Sequence, residues 1–195
     1  SHTLDLPDNV NINDKITTMT LGDDVSKGIS SVIGQDSALG EVFHITSPIS
    51  LPWSEVLQVY LSVLKEHLGK DVRVVMTKKS VNLKFKWRIY QVIYCRYFNR
   101  TFDNSKISQY CDVNDFTPPQ LGLKKCLEDF LKNPKFQYIP WDLEALQDKA
   151  SKEFTPLGEI RGRGAKFTYI CYRYNLEFIY KLAILVRKLI FRIIK

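Results

Sequence analysis

Arg100 and Asp103 stand three residues apart in the stretch RTFDNSK. A guanidinium is a planar fork that offers a diphosphate paired, charge-assisted hydrogen bonds, so Arg100 is the first candidate for holding an anion. The bland alternative is a surface arginine. Asp103, Ser105 and Lys106 also read as structural residues, capping a short helix and pinning it in place. Thr46 and Ser47 close the apolar run GEVFHITS, Gly40 to Ser47. If that run is a strand, their hydroxyls sit at its end, where α/β folds gather ligands. His44 alternates with Phe43 and Ile45 and reads as hydrogen-bonded filler rather than a base. Cys95, Cys111, Cys126 and Cys171 are scattered, and His2, His44 and His67 are isolated. Neither a metal site nor a disulfide framework is expected, and reduced thiols in a cytoplasmic compartment fit best.

The charge is uneven. The formal net charge is +7 over 195 residues. Residues 161–195 hold nine Lys/Arg and one Glu, and residues 70–106 hold ten Lys/Arg and two Asp. The remainder is acidic. Such blocks point to localised anionic partners, either diphosphates or acidic lipid headgroups, rather than to a uniformly basic nucleic-acid binder. The aromatic, basic segment 84–100 needs no nucleic acid, because a cleft wall facing an anionic ligand is also basic.

Those residues must be positioned by a real core, and 45% hydrophobic content allows one. KITTMT (15–20) alternates as a short strand. GDDVSKGISSVIG predicts a helix with Asp23 or Asp24 as N-cap and Gly34 as its stop. The spacing of Val56, Leu57, Tyr60, Leu61, Leu64 and Leu68 predicts a helix capped at Ser50, with Pro52 near its first turn and Gly69 closing it. DVRVVMT reads as a strand. SVNLKFKWRIYQVIYCRYFN reads as a helix, with Trp87, like Trp53, serving packing. DNSKISQYC reads as a short helix. Thr117, Pro118 and Pro119 open another helix, which Pro134 ends. PWDLEALQDKASKEF is helical, TPLGEIRGRGAKF is a Gly-rich basic connection, and YNLEFIYKLAILVRKLIFRIIK is a long apolar helix. Strands separated by helices predict an α/β fold with few strands and several helices. No basic run followed by an apolar one opens the chain, so no signal peptide is expected.

Taken in order, TLGDDVSKGISSVI, ALGEVFHITS, LPWSEVLQVYLSVL, FDNSKI and DFTPPQLGLKKCLEDFLKNP resemble the C-terminal half of NAD-dependent epimerase/dehydratases. These are extended short-chain dehydrogenases acting on nucleotide sugars. Asp24, Gly40, Glu41, Phe43, Ile45, Asp103, Ser105, Lys106, Gly122 and Leu123 occupy the family's positions, over roughly residues 15–135. The resemblance implies a partial Rossmann-type fold, mainly the substrate-binding lobe, with Arg100, Asp103, Thr46 and Ser47 as substrate-binding candidates and Asp24, Ser105 and Lys106 as structural motif residues. It implies a nucleotide-sugar substrate and, in a complete enzyme, NAD or NADP. This chain carries no G-x-x-G-x-x-G loop, GRGAKF (162–167) being one glycine short. None of its ten tyrosines has Lys four places on, so the family's Tyr-x-x-x-Lys pair is missing too. No catalytic residue is therefore expected here, and this chain alone is expected to bind no dinucleotide.

The predicted organisation is a substrate-binding lobe over 1–139, a helix and Gly-rich connection over 140–173, and an amphipathic basic helix over 174–195. In that last helix Glu177, Lys181, Lys188, Arg192 and Lys195 recur at fours and sevens, with Arg187 beside the stripe. A wide apolar face with a cationic stripe predicts attachment to an anionic membrane surface through Lys181, Arg187, Lys188 and Arg192. The bland alternative is packing on its own core or on a second subunit of a homodimer. The functional expectation is the substrate-binding portion of a nucleotide-sugar epimerase, dehydratase or reductase, peripheral on the inner face of the plasma membrane and serving surface polysaccharide synthesis. The alternative is a non-catalytic binding or membrane-adaptor protein derived from the same lobe.

Overall fold

The computed structural model describes residues 11–75, 86–134 and 139–193, with the side chains of residues 86–88 and 191–193 outside that description. In chain order the elements are β1 (Ile16–Thr18), α1 (Gly22–Val32), β2 (Ser50–Pro52), α2 (Trp53–Leu68), α3 (Lys86–Arg96), α4 (Pro119–Lys132), α5 (Trp141–Ser151), α6 (Arg163–Arg173) and α7 (Glu177–Ile193). Among the described residues this is a helix-rich fold of the α/β kind, with seven α-helices and one two-stranded sheet. The chain divides into two units, one of residues 1–73 and 90–135, the other of 74–89 and 136–195.

In the first unit β1 and β2 pair antiparallel, with Ile16 opposite Pro52, Thr17 opposite Leu51 and Thr18 opposite Ser50. Ser50 therefore works in a strand, and the N-cap position of α2 falls to Pro52. The other end of α2 follows the expected chemistry. Gly69 adopts φ 65°, and its N–H donates to Lys65 O at 2.9 Å, the left-handed stop that glycine takes without strain. Val56 and Val63, two turns apart, are the fully buried side of α2, which packs on α4. Pro119 occupies the first turn of α4, where its missing N–H costs nothing.

Three expectations need correction. Gly40–Ser47 forms no strand, because side chains satisfy its backbone: Ser47 N–H donates to Thr20 Oγ1 at 2.8 Å, and Thr46 O accepts from Asn104 Nδ2 at 3.1 Å. Residues 71–75 of DVRVVMT carry no regular structure, and the rest of that run lies outside the described residues. DNSKISQYC supplies a single 3₁₀ turn, Ile107–Gln109, rather than an α-helix. Ile107 is fully buried there, and with Val113 and Phe116 it forms a core against which Val32, Phe43, Ile45 and Cys111 pack.

Gly28, buried in α1, lets that core close. A Cβ at this position would lie 2.4 Å from Ile45 Cγ2. Gly28→Ala is therefore expected to lower stability by about 1–3 kcal/mol through overpacking, overriding the ~1 kcal/mol that alanine normally gains over glycine in a helix. Urea unfolding midpoints decide it, and a stabilised variant would mean Ile45 moves aside without penalty.

In the second unit α6 packs on α5 around Ala145, Ile160 and Tyr169, with Trp141, Leu157, Ala165 and Tyr172 at the margin. The Gly-rich connection is shorter than expected: it ends at Gly162, and α6 begins at Arg163. Buried Tyr169 and Cys171 are what hold this stretch helical.

Candidate functional site

The segment after α3 is fixed by its backbone. Arg100 N–H donates to Ile16 O at 2.8 Å, and Arg100 O accepts from Thr18 Oγ1 at 2.9 Å. Because the Thr18 hydroxyl spends its proton on Arg100, its 2.8 Å contact with Ser50 Oγ must be donated by Ser50. One residue earlier, Asn99 Oδ1 accepts from Ile16 N at 3.0 Å. Arg100 thus has both backbone atoms anchored on β1 while its guanidinium lies 5.5 Å from the Phe102 ring centroid. The residue is half-buried, and no carboxylate among the described residues pairs with it.

Beyond Arg100 the chain turns through Asp103, whose Oδ1 accepts from Ser105 N at 2.9 Å. That backbone bond, reinforced by the Ser105 side chain and the His44 charge, holds the Asp103 carboxyl below its ordinary range, so it is an anion at neutral pH. Asn104 then reaches Thr46 O, and Lys106 ion-pairs with Glu41 while lying 5.2 Å from the Phe43 ring centroid. His44 is exposed and meets Phe102 edge-on at 5.3 Å between ring centroids.

The predicted site residues divide on this geometry. Thr46 and the 100–104 segment are brought together. Thr46 Oγ1 is buried and has no hydrogen-bond partner among the described residues. Ser47 is buried and committed locally, its Oγ accepting from Ile49 N at 3.1 Å. Asp24 is not an N-cap: that position belongs to Leu21. It sits instead in the first turn of α1, fully buried, accepting from Lys27 Nζ at 2.7 Å and from Thr117 N at 2.8 Å. Lys181 and Lys188 lie in the other unit on α7, both exposed, and Arg187 is on the same helix. The side chain of Arg192, like that of Trp87, lies outside the described residues. Sequence reasoning passed over Asn99 and Asn104, whose amides do much of the tethering. Their signal was only their place beside Arg100 and Asp103.

Arg100 and Asp103 supply a guanidinium and a carboxylate on one tethered stretch, whereas the Thr46 hydroxyl is closed to solvent. Among the described residues no group of three or more His, Cys, Asp or Glu could hold a metal ion. A cleft of about 100 Å³ beside the β1–α1 connection, lined by Met19, Leu21, Leu123 and Cys126 among others, offers no charged group. The Gly-rich stretch 162–167 lacks the form of a dinucleotide loop. Gly162 is the N-cap of α6, no strand precedes it in residues 155–161, and no second glycine pair follows to let a pyrophosphate approach. No hydride-transfer step is assigned to these side chains. No family model, curated protein or solved structure matches the chain.

Proposed function

We propose that this chain is the substrate-holding portion of an NAD(P)-dependent nucleotide-sugar epimerase, dehydratase or reductase of the extended short-chain dehydrogenase kind. One observation carries the reading. The separate stretches that resemble the family hold one another: Asp24 accepts from Thr117, Lys106 pairs with Glu41 and covers Phe43, and the buried Gly122 packs against Leu21. In this reading Arg100 clamps the diphosphate and Asp103 accepts from a ribose or sugar hydroxyl.

The test is titration of the full chain with UDP-glucose and dTDP-glucose by calorimetry. Arg100→Ala is expected to weaken binding roughly tenfold or more, and Arg100→Lys to restore only part of it, because an ammonium lacks the fork. Affinity indifferent to Arg100→Ala, or no binding of either compound, would sink the proposal.

The lack of a dinucleotide loop in the Gly-rich stretch favours a second reading, a non-catalytic binding protein built from the same lobe. The two separate on whether the complete gene product binds NAD or NADP.

A further inference from the structure

The last helix is built unlike the others. α7 runs from Glu177 to Ile193, and its first turn is packed, Tyr180 meeting Tyr172 at 5.5 Å and Phe167 at 6.2 Å between ring centroids. From Lys181 to Ile190 every residue is exposed. Leu182 is 58% exposed, Leu185 54%, Leu189 49% and Ile190 50%, values ordinary for charged surface residues and costly for aliphatic ones. At 3.6 residues per turn, Leu182, Leu185, Val186 and Leu189 share one broad face. Lys181 and Lys188, seven apart, share a direction away from it, and the sequence continues that stripe at Arg192 and Lys195.

We propose that α7 lies along the surface of an anionic lipid bilayer, its leucine face sunk among the acyl chains near the headgroups and its lysine stripe against the phosphates. The seventeen residues of α7 reach about 25 Å, against a bilayer core of about 30 Å. Among the described residues no helix is long and apolar enough to span.

Charge selects this occupant over a second copy of the chain. Residues 161–195 carry nine Lys/Arg against one Glu. Pairing α7 with α7 would bring two such sets together, whereas an anionic surface is attracted to each cation. Arg161, Arg163 and Lys166, at the start of α6 in the same unit, add to that field. The apolar face and the cationic stripe are two separate contributions, as interfacial helices require. This inference stands apart from the nucleotide-sugar reading, and its test leaves Arg100 untouched.

The test is flotation of the full 195-residue chain with vesicles of phosphatidylcholine alone or mixed with phosphatidylglycerol, at low and high salt. The chain is expected to float with the mixed vesicles, to float poorly with the neutral ones, and to be released by salt. Lys181→Glu with Lys188→Glu is expected to weaken that binding roughly tenfold or more, and Leu185→Asp with Leu189→Asp to abolish it. All four positions are exposed, so circular dichroism should report unchanged helicity. Leu185→Trp, a conservative partner to these, should show a blue-shifted emission on mixed vesicles. Equal flotation with both vesicle types overturns the proposal. So does a light-scattering dimer that the Leu→Asp pair dissociates in a chain that floats with neither.

Discussion

Replacing Asp148 with alanine is expected to destabilise the α5–α6 unit by about 3 kcal/mol, the largest effect of any single change considered. One carboxylate oxygen, Asp148 Oδ2, accepts from Tyr169 Oη at 2.6 Å, from Thr155 Oγ1 at 2.7 Å and from Thr155 N at 3.0 Å. Tyr169 is fully buried. Burial first, and then the hydrogen bond to Asp148, push its phenol above the ordinary range, so it remains a donor throughout neutral pH. Removing the acceptor strands the buried Tyr169 phenol and leaves the Thr155 hydroxyl without its partner, while Thr155 N keeps its 2.8 Å bond to Tyr169 Oη. Tyr169→Phe removes one donor and keeps the ring that Trp141 and Phe154 pack against, so it should cost only about 1–2 kcal/mol. Urea unfolding followed through Trp141, with Trp53 and Trp87 changed to phenylalanine, reads this unit by itself. An unchanged midpoint for Asp148→Ala would show the network to be ornamental.

The second large effect lies in the other unit. Asp24→Ala is expected to cost about 2–3 kcal/mol, because it releases the Lys27 ammonium and the Thr117 N–H that starts the approach to α4. The consequence extends to pH. Burial by itself would raise the Asp24 carboxyl, yet the hydrogen bonds from Lys27 and Thr117 outweigh it and hold the carboxyl below 3.8. The stabilisation is therefore fully present above the unfolded value near 3.8 and lost as pH falls through the lower folded value. Wild type should show a steep loss of stability in that acid window, and Asp24→Asn a shallower one. Parallel acid-unfolding curves for the two would contradict the assignment.

Helices were largely legible in the amino-acid order because their punctuation is local. Gly69 and Pro119 act within a turn or two of themselves, whereas Val63, buried with Val56 on α2, was not among the positions whose spacing marked that helix. What escaped depends on distant partners. GEVFHITS has a strand's composition, but Asn104, Thr20 and Lys106 take its polar groups from far along the chain. β2 hid inside what looked like a helix start, since Ser50 and Pro52 suit a first turn as well as an edge strand. The start of α6 hid under two glycines, and only Tyr169 docking on Asp148 reveals why it is helical. Arg100 was legible as a residue type suited to anions. That its backbone is anchored on Ile16 and Thr18 was not, because neither contact has any sequence-local sign.

The tether at Ile16 has a further consequence. A sheet of two three-residue strands is marginal in water, and an open strand flank is a template for unwanted pairing between molecules. Alternation along β1 turns the N–H and C=O of Ile16 away from β2, where both would otherwise be open to a foreign strand. Asn99 Oδ1 and Arg100 N fill those two bonds. The stretch that carries Arg100, proposed above to hold the diphosphate, therefore doubles as a guard against fibrous self-assembly.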